Sequence, residues 1–451
     1  MISESREFEL TREYIDRLQE AVDGRDQDFI LTSLESVNPA DISTLLHEFN
    51  TPDSKFVLDL LSDEVHALIL KDLDSDTRRI FLRVYTSAEL VPLVNLLDSD
   101  DAADILNELP VRTGEEVIAL LDPALRSQVV DLLRYDEHVA GGLMAKELIR
   151  VRDHWTIGQC IQEVRAQAEQ VTRFYNVYVV DQMDRLLGRI SLQELILRDP
   201  NTLVRDIVEE VVPVETFMDE LQVAEIMKRY DYESVPVVNV QGVLVGRITI
   251  DDVVDVISEQ AEEDRQAMAG ISEDVEEDDT VWRNIRARLP WLLVGVAGGL
   301  ISARFMGLFE GELSRIAAIS FFIPLIQATG GNVGIQSSSL VVQTLASAVQ
   351  FKETLRERLT RVLSVALLNG LLLSLVVLGI NMLAFGNHRL SLIVSVALFA
   401  VVIFASFVGT LTPLILHRLG YNPALASGPF ITTTNDLLGL ALYFTTIHLL
   451  L

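Results

Sequence analysis

From Leu289 to its end the chain is almost continuously apolar, and no other feature limits its fold so severely. The run divides into five candidate spans: Pro290 to Leu308, Ala317 to Ala348, Leu359 to Phe385, Leu390 to Leu416 and Gly428 to Leu450. Helices of that length, rising about 1.5 Å per residue, match a hydrocarbon core roughly 30 Å thick. Backbone polar groups find no water there, so each span has to satisfy its own amides by forming a helix. Cations mark alternate connections. Arg283, Arg286 and Arg288 precede the first span, Lys352, Arg356 and Arg358 lie between the second and the third with Arg361 in the third's first turn, and Arg418 separates the fourth from the fifth. The opposite loops hold Glu310 and Glu312 on one turn and only His388 and Arg389 on the other. Basic loops stay on the cytoplasmic side, which predicts a cytoplasmic amino-terminal part and an external carboxyl end.

Charge divides the 451 residues between two solvents. From Leu289 onward there are eight Lys/Arg and five Asp/Glu, a net of +3, which leaves 28 and 61, a net of −33, for the part before it. So acidic a soluble part argues against nucleic acid, whose phosphates need clustered cations, and suits divalent cations instead. A single cysteine, Cys160, rules out an intramolecular disulfide and a thiolate metal cage. The opening stretch MISESREFELTREYIDRL is charged and helical in pattern, without an apolar signal core, so the later spans are expected to direct insertion.

Residues 1–136 read as an all-α array of short helices. Segments such as NPADISTLLHEF, SDEVHALILKDL and DSDDAADILNEL each open on a capping Asn, Ser or Asp and then place apolar residues three and four apart. Their weak period predicts a superhelical stack. Residues 137–258 carry a duplication: NVYVVDQMDRLLGRISLQELI from Asn176 aligns without a gap on SVPVVNVQGVLVGRITIDDVV from Ser234. Each copy is strand, turn, strand with Gly, then helix start, and the whole resembles an α/β tandem CBS pair. Such pairs elsewhere often bind adenosine nucleotides, which makes ATP a candidate ligand, although no residue here marks a nucleotide site. Residues 259–288 form an acidic helical connector that turns basic before the apolar part. A helix from Asp251 to about Met268 sets Asp252, Asp255, Glu259 and Glu263 near one another, where like charges repel unless a cation offsets them.

Two motifs in the membrane domain, residues 289–451, carry chemistry. The second span contains IPLIQATGGNVGIQSSS, in which Pro324, Gly330, Gly331 and Gly334 are expected to break or thin the helix beside Asn332, Gln336 and Ser337. Broken backbone at membrane depth offers carbonyl and amide oxygens to a hydrated cation. A seam of small residues for close helix packing is the other reading. The last span carries one acid, Asp436, and an intramembrane carboxylate usually faces water or a partner. Magnesium keeps most of its waters, so one or two carboxylates with oxygen-lined walls suffice. A ring of acids from a single Asp436 per chain implies a symmetric dimer.

Domain order and three stretches, RYDEHVAGGLM from Arg134, PLIQATGGNVGIQ from Pro324 and GPFITTTNDLLGL from Gly428, resemble the MgtE family of magnesium channels over nearly the whole chain. The resemblance implies a non-enzymatic, homodimeric membrane channel. It places Asp436 at a hydrated magnesium ion in the pore, with Gly331 and Asn332 on the neighbouring span. It also implies regulatory magnesium at Asp100, Asp104, Asp231, Asp255, Glu259, Glu262, Glu263 and Asp264, where bound ions draw the cytosolic domains together and the connecting helix plugs the pore. Two other readings stay open at this point: a channel for cobalt or manganese, since oxygen sites separate these metals poorly, and a membrane-anchored adenosine-nucleotide sensor.

Overall fold

The computed structural model describes residues 11–167, 175–272, 275, 280–346, 355–385, 387–426 and 428–450. The chain forms two compact units, residues 1–257 and 258–451.

The first unit begins with short helices: α1 (Arg12–Asp23), α2 (Gln27–Leu34), α3 (Pro39–Leu46), α4 (Thr51–Leu58), α5 (Asp63–Asp72), α6 (Ser75–Leu82), α7 (Ser87–Val94), α8 (Ser99–Glu108), α9 (Val111–Leu120) and α10 (Pro123–Leu132). Of the expected caps all but one form, the exception being Asp98, which precedes α8 without a side-chain cap bond. The side chains of Asp26, Asn38, Asn50, Ser62, Asp74 and Thr86 each accept a bond from a first-turn amide, and Thr86 and Glu89 complete a reciprocal capping box. Alternate helices stack, α3 on α5 on α7 on α9 and α4 on α6 on α8 on α10, so two rows face each other. Ile30, Leu46, Ile69, Leu90, Val117 and Val129 fill the space between them and are buried. The all-α array of short helices expected from the sequence is thus a stack of alternate helices.

Next come α11 (Ala140–Leu143), β1 (Arg150–Arg152), α12 (Ile157–Gln167), β2 (Asn176–Val180), β3 (Leu186–Ser191), α13 (Leu192–Leu197), β4 (Val214–Glu215), α14 (Glu220–Tyr230), β5 (Ser234–Val238), β6 (Leu244–Thr249) and α15 (Ile250–Ala269). The duplication is structural. β1 runs parallel to β2 and β2 antiparallel to β3, while β4, β5 and β6 repeat that order. Even the irregularity is copied, with the register slipping between Val179 and Val180 in one sheet and between Val237 and Val238 in the other. The copies bond reciprocally through equivalent residues: the Leu186 amide donates to the Gly242 carbonyl at 3.0 Å, and the Leu244 amide to the Asp184 carbonyl at 3.0 Å. Such an exchange is what a local twofold relation requires.

The second unit is helical: α16 (Val281–Gly307), α17 (Glu310–Arg315), a 3-10 turn at Ala317–Phe322, α18 (Ile323–Ala346), α19 (Leu355–Phe385), α20 (His388–Arg418), a 3-10 turn at Pro423–Ala426 and α21 (Pro429–Leu450). Among the described residues four segments, Val281–Gly307, Ala317–Leu345, Arg356–Ala384 and His388–Arg418, are long and apolar enough to cross a membrane, against the five expected. The fifth expected span does form the 22-residue helix α21, but its first half reads PFITTTND. Interior placement explains the low hydropathy. α21 packs against α16, α18 and α20 at once, burying Leu440, Tyr443, Phe444 and Ile447, and a helix so surrounded has little lipid to satisfy.

Candidate functional site

The expectation of a broken second span is not met. α18 is one continuous helix from Ile323 to Ala346. Pro324 falls in its first turn, where a missing amide proton leaves no bond unmade. The glycines serve packing instead. A Cβ on Gly409 of α20 would collide with the Gly334 carbonyl, and one on Gly334 would collide with the amide nitrogen of Asn435. Gly330 is held less closely, since its Cβ would meet a Val401 methyl at 3.2 Å. The glycine-rich stretch is therefore a seam that draws α18 against α20 and α21.

That seam positions the carboxylate. A Cβ on Gly331 would lie 3.4 Å from the Thr432 methyl and 3.6 Å from Oδ1 of Asp436, so the bare backbone of α18 sits beside the acid of α21. Asp436 is partly exposed. Asn332, the next residue after Gly331, and Gln336, one turn further on, are exposed on α18. Asn435 is buried at 2% exposure, and neither of its amide atoms has a hydrogen-bond partner among the described residues. Tyr443, two turns beyond Asp436, donates its hydroxyl to the Ile319 carbonyl at 2.9 Å and ties α21 to the turn ahead of α18. Among the described residues no three His, Cys, Asp or Glu side chains are arranged to hold a metal ion. One carboxylate suits an ion that keeps its waters.

The regulatory residues named from the sequence divide into separate places. In the first unit, Asp100 and Asp104 on α8 lie near Asp252 at the start of α15. Burial, then Asp101 and Asp252, raises the Asp100 carboxyl well above its ordinary range. Asp252 is pushed up to about 6, burial outweighing the bonds it accepts from the Thr249 hydroxyl at 2.7 Å and amide at 3.0 Å. Asp104 reaches solvent at the rim and is also raised, burial ahead of Asp101 and Asp252 and against Arg78. Asp255 is raised by burial and Asp251.

Two cations temper this cluster, and sequence reasoning missed both. Lys71 Nζ sits 2.7 Å from Asp101 Oδ2. Arg78 holds Glu108 with two parallel bonds of 2.9 and 2.7 Å and donates to the Lys71 and Leu73 carbonyls. Burial alone would lower the Lys71 ammonium, but Asp101, Asp100 and Asp252 outweigh it and raise it. Asp231 stands apart: it ends α14 in the left-handed region, φ 52° and ψ 45°, with an exposed side chain.

Glu259, Glu262, Glu263 and Asp264 lie on the part of α15 that belongs to the second unit. Glu262 pairs with Arg265 at 2.5 Å, while Glu259 and Glu263 are exposed. Asp264 accepts from Gln260 at 3.1 Å and from Asn422 at 2.9 Å. The end of α15 is lodged against the start of α21. Gly428 (φ 59°) leaves no room for a Cβ beside the Met268 carbonyl, and a Cβ on Gly270 (φ 80°) would reach the Pro429 ring at 2.5 Å. A helix ending that closely on another needs glycine on both sides.

Known proteins share this arrangement. Residues 323–446 match the family described as divalent cation transporter, residues 37–138 the MgtE intracellular N domain and residues 204–259 the CBS domain. The Magnesium transporter MgtE of Thermus thermophilus is 34% identical over 445 residues, covering 96% of this chain and 98% of its own length. The Magnesium transporter MgtE of Bacillus subtilis is 29% identical over 423 residues, 94% of both chains. A crystal structure of the cytosolic domain of the Mg2+ channel MgtE in complex with ATP superposes with a TM-score of 0.51 at 35% identity, covering 54% of this chain and 99% of that one. With its helical stack, CBS pair and membrane helices in the same order over almost the full length, this chain belongs to the MgtE family of magnesium transporters.

Proposed function

We propose that the chain is a magnesium channel of the cytoplasmic membrane, working as a homodimer, with its amino-terminal domains in the cytoplasm and its carboxyl end outside. The observation that carries this reading is Asp436, a partly exposed carboxylate on an interior helix, set beside the bare backbone of Gly331 and next to the polar edge of Asn332 and Gln336. A hydrated divalent ion needs charge without dehydration, and two such acids across a symmetry axis supply it. Transport relatives named for magnesium support the choice of ion. Uptake of magnesium into liposomes is the test. Wild type is expected to show uptake that Asp436→Ala abolishes, and cobalt or manganese uptake that outruns magnesium would overturn the selectivity.

Closure follows from the acids. With cytosolic magnesium low, the raised carboxylates of Asp100, Asp104, Asp252 and Asp255 repel one another; bound ions favour the drawn-together arrangement, and α15, whose end already rests on the start of α21, holds the pore shut. Each ion has to bind the closed state more tightly, because equal affinity for both states shifts nothing. Removing Asp255, Glu259 and Glu263 together is expected to leave a channel that conducts at high cytosolic magnesium in patch recordings. ATP is a proposed ligand of the CBS pair, supported by the relative crystallised with it; a calorimetric titration that gives no heat with ATP would remove it.

A further inference from the structure

The apolar surface of the membrane unit carries a built recess. Between α19 and α20, lined also by Leu442 of α21, lies an open groove of about 410 Å³. Val362 and Ala366 wall one side, and Phe399, Ala400, Ile403 and Phe407 the other. Every lining residue is apolar, so water gains no partner there while a hydrocarbon chain gains packing. Along α20 the wall from Phe399 to Phe407 runs about 12 Å at 1.5 Å per residue.

A cation stands at one end. Arg358, Val362 and Ala366 are spaced four apart on α19, which places the three on one face of the helix. Arg358 lies two residues into the segment Arg356–Ala384, at the level where a span meets headgroups. It is partly exposed and makes no ion pair or hydrogen bond among the described residues. Arg356 and Arg361 add positive charge at the same end of the helix. A guanidinium with no carboxylate partner among the described residues, at the mouth of a groove fit for hydrocarbon, matches a molecule with a phosphate at one end and an alkyl chain at the other.

We propose that this groove holds an acyl chain of an anionic phospholipid whose phosphate is bound by Arg358. The site stands on packing and charge alone and does not depend on which ion the chain carries.

Native mass spectrometry of the full-length protein, exchanged into equal phosphatidylglycerol and phosphatidylcholine, is the test. Wild type is expected to retain phosphatidylglycerol about tenfold over phosphatidylcholine, the scale of a charge-assisted hydrogen bond. Arg358→Ala is expected to erase that preference, and Ala400→Trp, which fills the groove, to expel both lipids. Arg358→Ala alters a side chain outside the packed interior and stays decisive should Ala400→Trp fail to fold. Unchanged lipid retention in Arg358→Ala overturns the proposal. So does displacement of the lipid by inorganic phosphate, or a loss of dimer mass in Ala400→Trp, which would assign the groove to a second copy of the chain.

Discussion

Oδ1 of Asp264 accepts a hydrogen bond from Nδ2 of Asn422, 2.9 Å away, and so joins the last turns of α15 to the turn that leads into α21. Because α21 also carries Asp436, a tie at its start bears on any gate. Removing one such bond changes an equilibrium by about 1 kcal/mol, roughly fivefold. Residual flux at saturating cytosolic magnesium is expected to rise by about that factor in Asp264→Ala. Asn422→Ala should match it, and the double variant should add little. Fully additive effects in proteoliposome flux would show that the two residues do not act through this contact.

Gly331 offers a sharper probe of the proposed ion site than the acid itself. An added methyl would rest 3.4 Å from Thr432 and 3.6 Å from the Asp436 carboxylate, both ordinary contact distances, so Gly331→Ala is expected to fold with an unchanged melting temperature. The methyl narrows the space beside the carboxylate, so magnesium flux should fall at least several-fold while Asp436→Asn abolishes it. If Gly331→Ala conducts like wild type, the ion does not pass between these two residues.

How far the sequence could be read depends on the distance over which each pattern acts. Caps, the duplicated strands and α15 are local, and their residues declare them: Thr86 with Glu89, Val179 with Val237, Ile250 to Ala269. The two cations of the acid cluster were not visible. Lys71–Asp101 and Arg78–Glu108 both join residues 30 apart, which is longer than the 24-residue step from Ser75 at the start of α6 to Ser99 at the start of α8, so neither a local pattern nor the repeat of the stack pairs them. In α18 the sequence misled, because Pro and Gly are read as breakers while here Pro324 opens the helix and Gly334 admits Asn435 and Gly409. Only the neighbouring helices decide between a break and a seam.

Asp252 gives the acid cluster a pH signature. Its folded-state carboxyl sits near 6, above its ordinary 3.8, so its contribution to stability is present below that ordinary value and is lost as pH rises through about 6. Asp252→Asn removes the titration. The variant's advantage over wild type in thermal unfolding, measured without divalent ions, is expected to grow from pH 4 to pH 7, and millimolar magnesium should shrink it at pH 7. An advantage independent of both pH and magnesium would take Asp252 out of the cluster's electrostatics.

His66 predicts the opposite slope elsewhere in the same unit. Its ring is buried at 4% exposure on α5 and meets the Tyr85 hydroxyl at 2.9 Å through Nε2. Burial holds the imidazole down to about 4 instead of 6.5, with Asp59 acting weakly against it. A lowered folded-state value means that the unfolded chain takes up the proton first, so stability is full above about pH 6.5 and is lost as pH falls toward about 4. A difference of that size corresponds to roughly 3 kcal/mol. His66→Gln keeps an amide partner for Tyr85 and cannot titrate. Urea unfolding of the two proteins should diverge by about that amount between pH 7 and pH 4, with wild type losing ground. Parallel curves would mean that the ring is charged, or wet, in the folded chain.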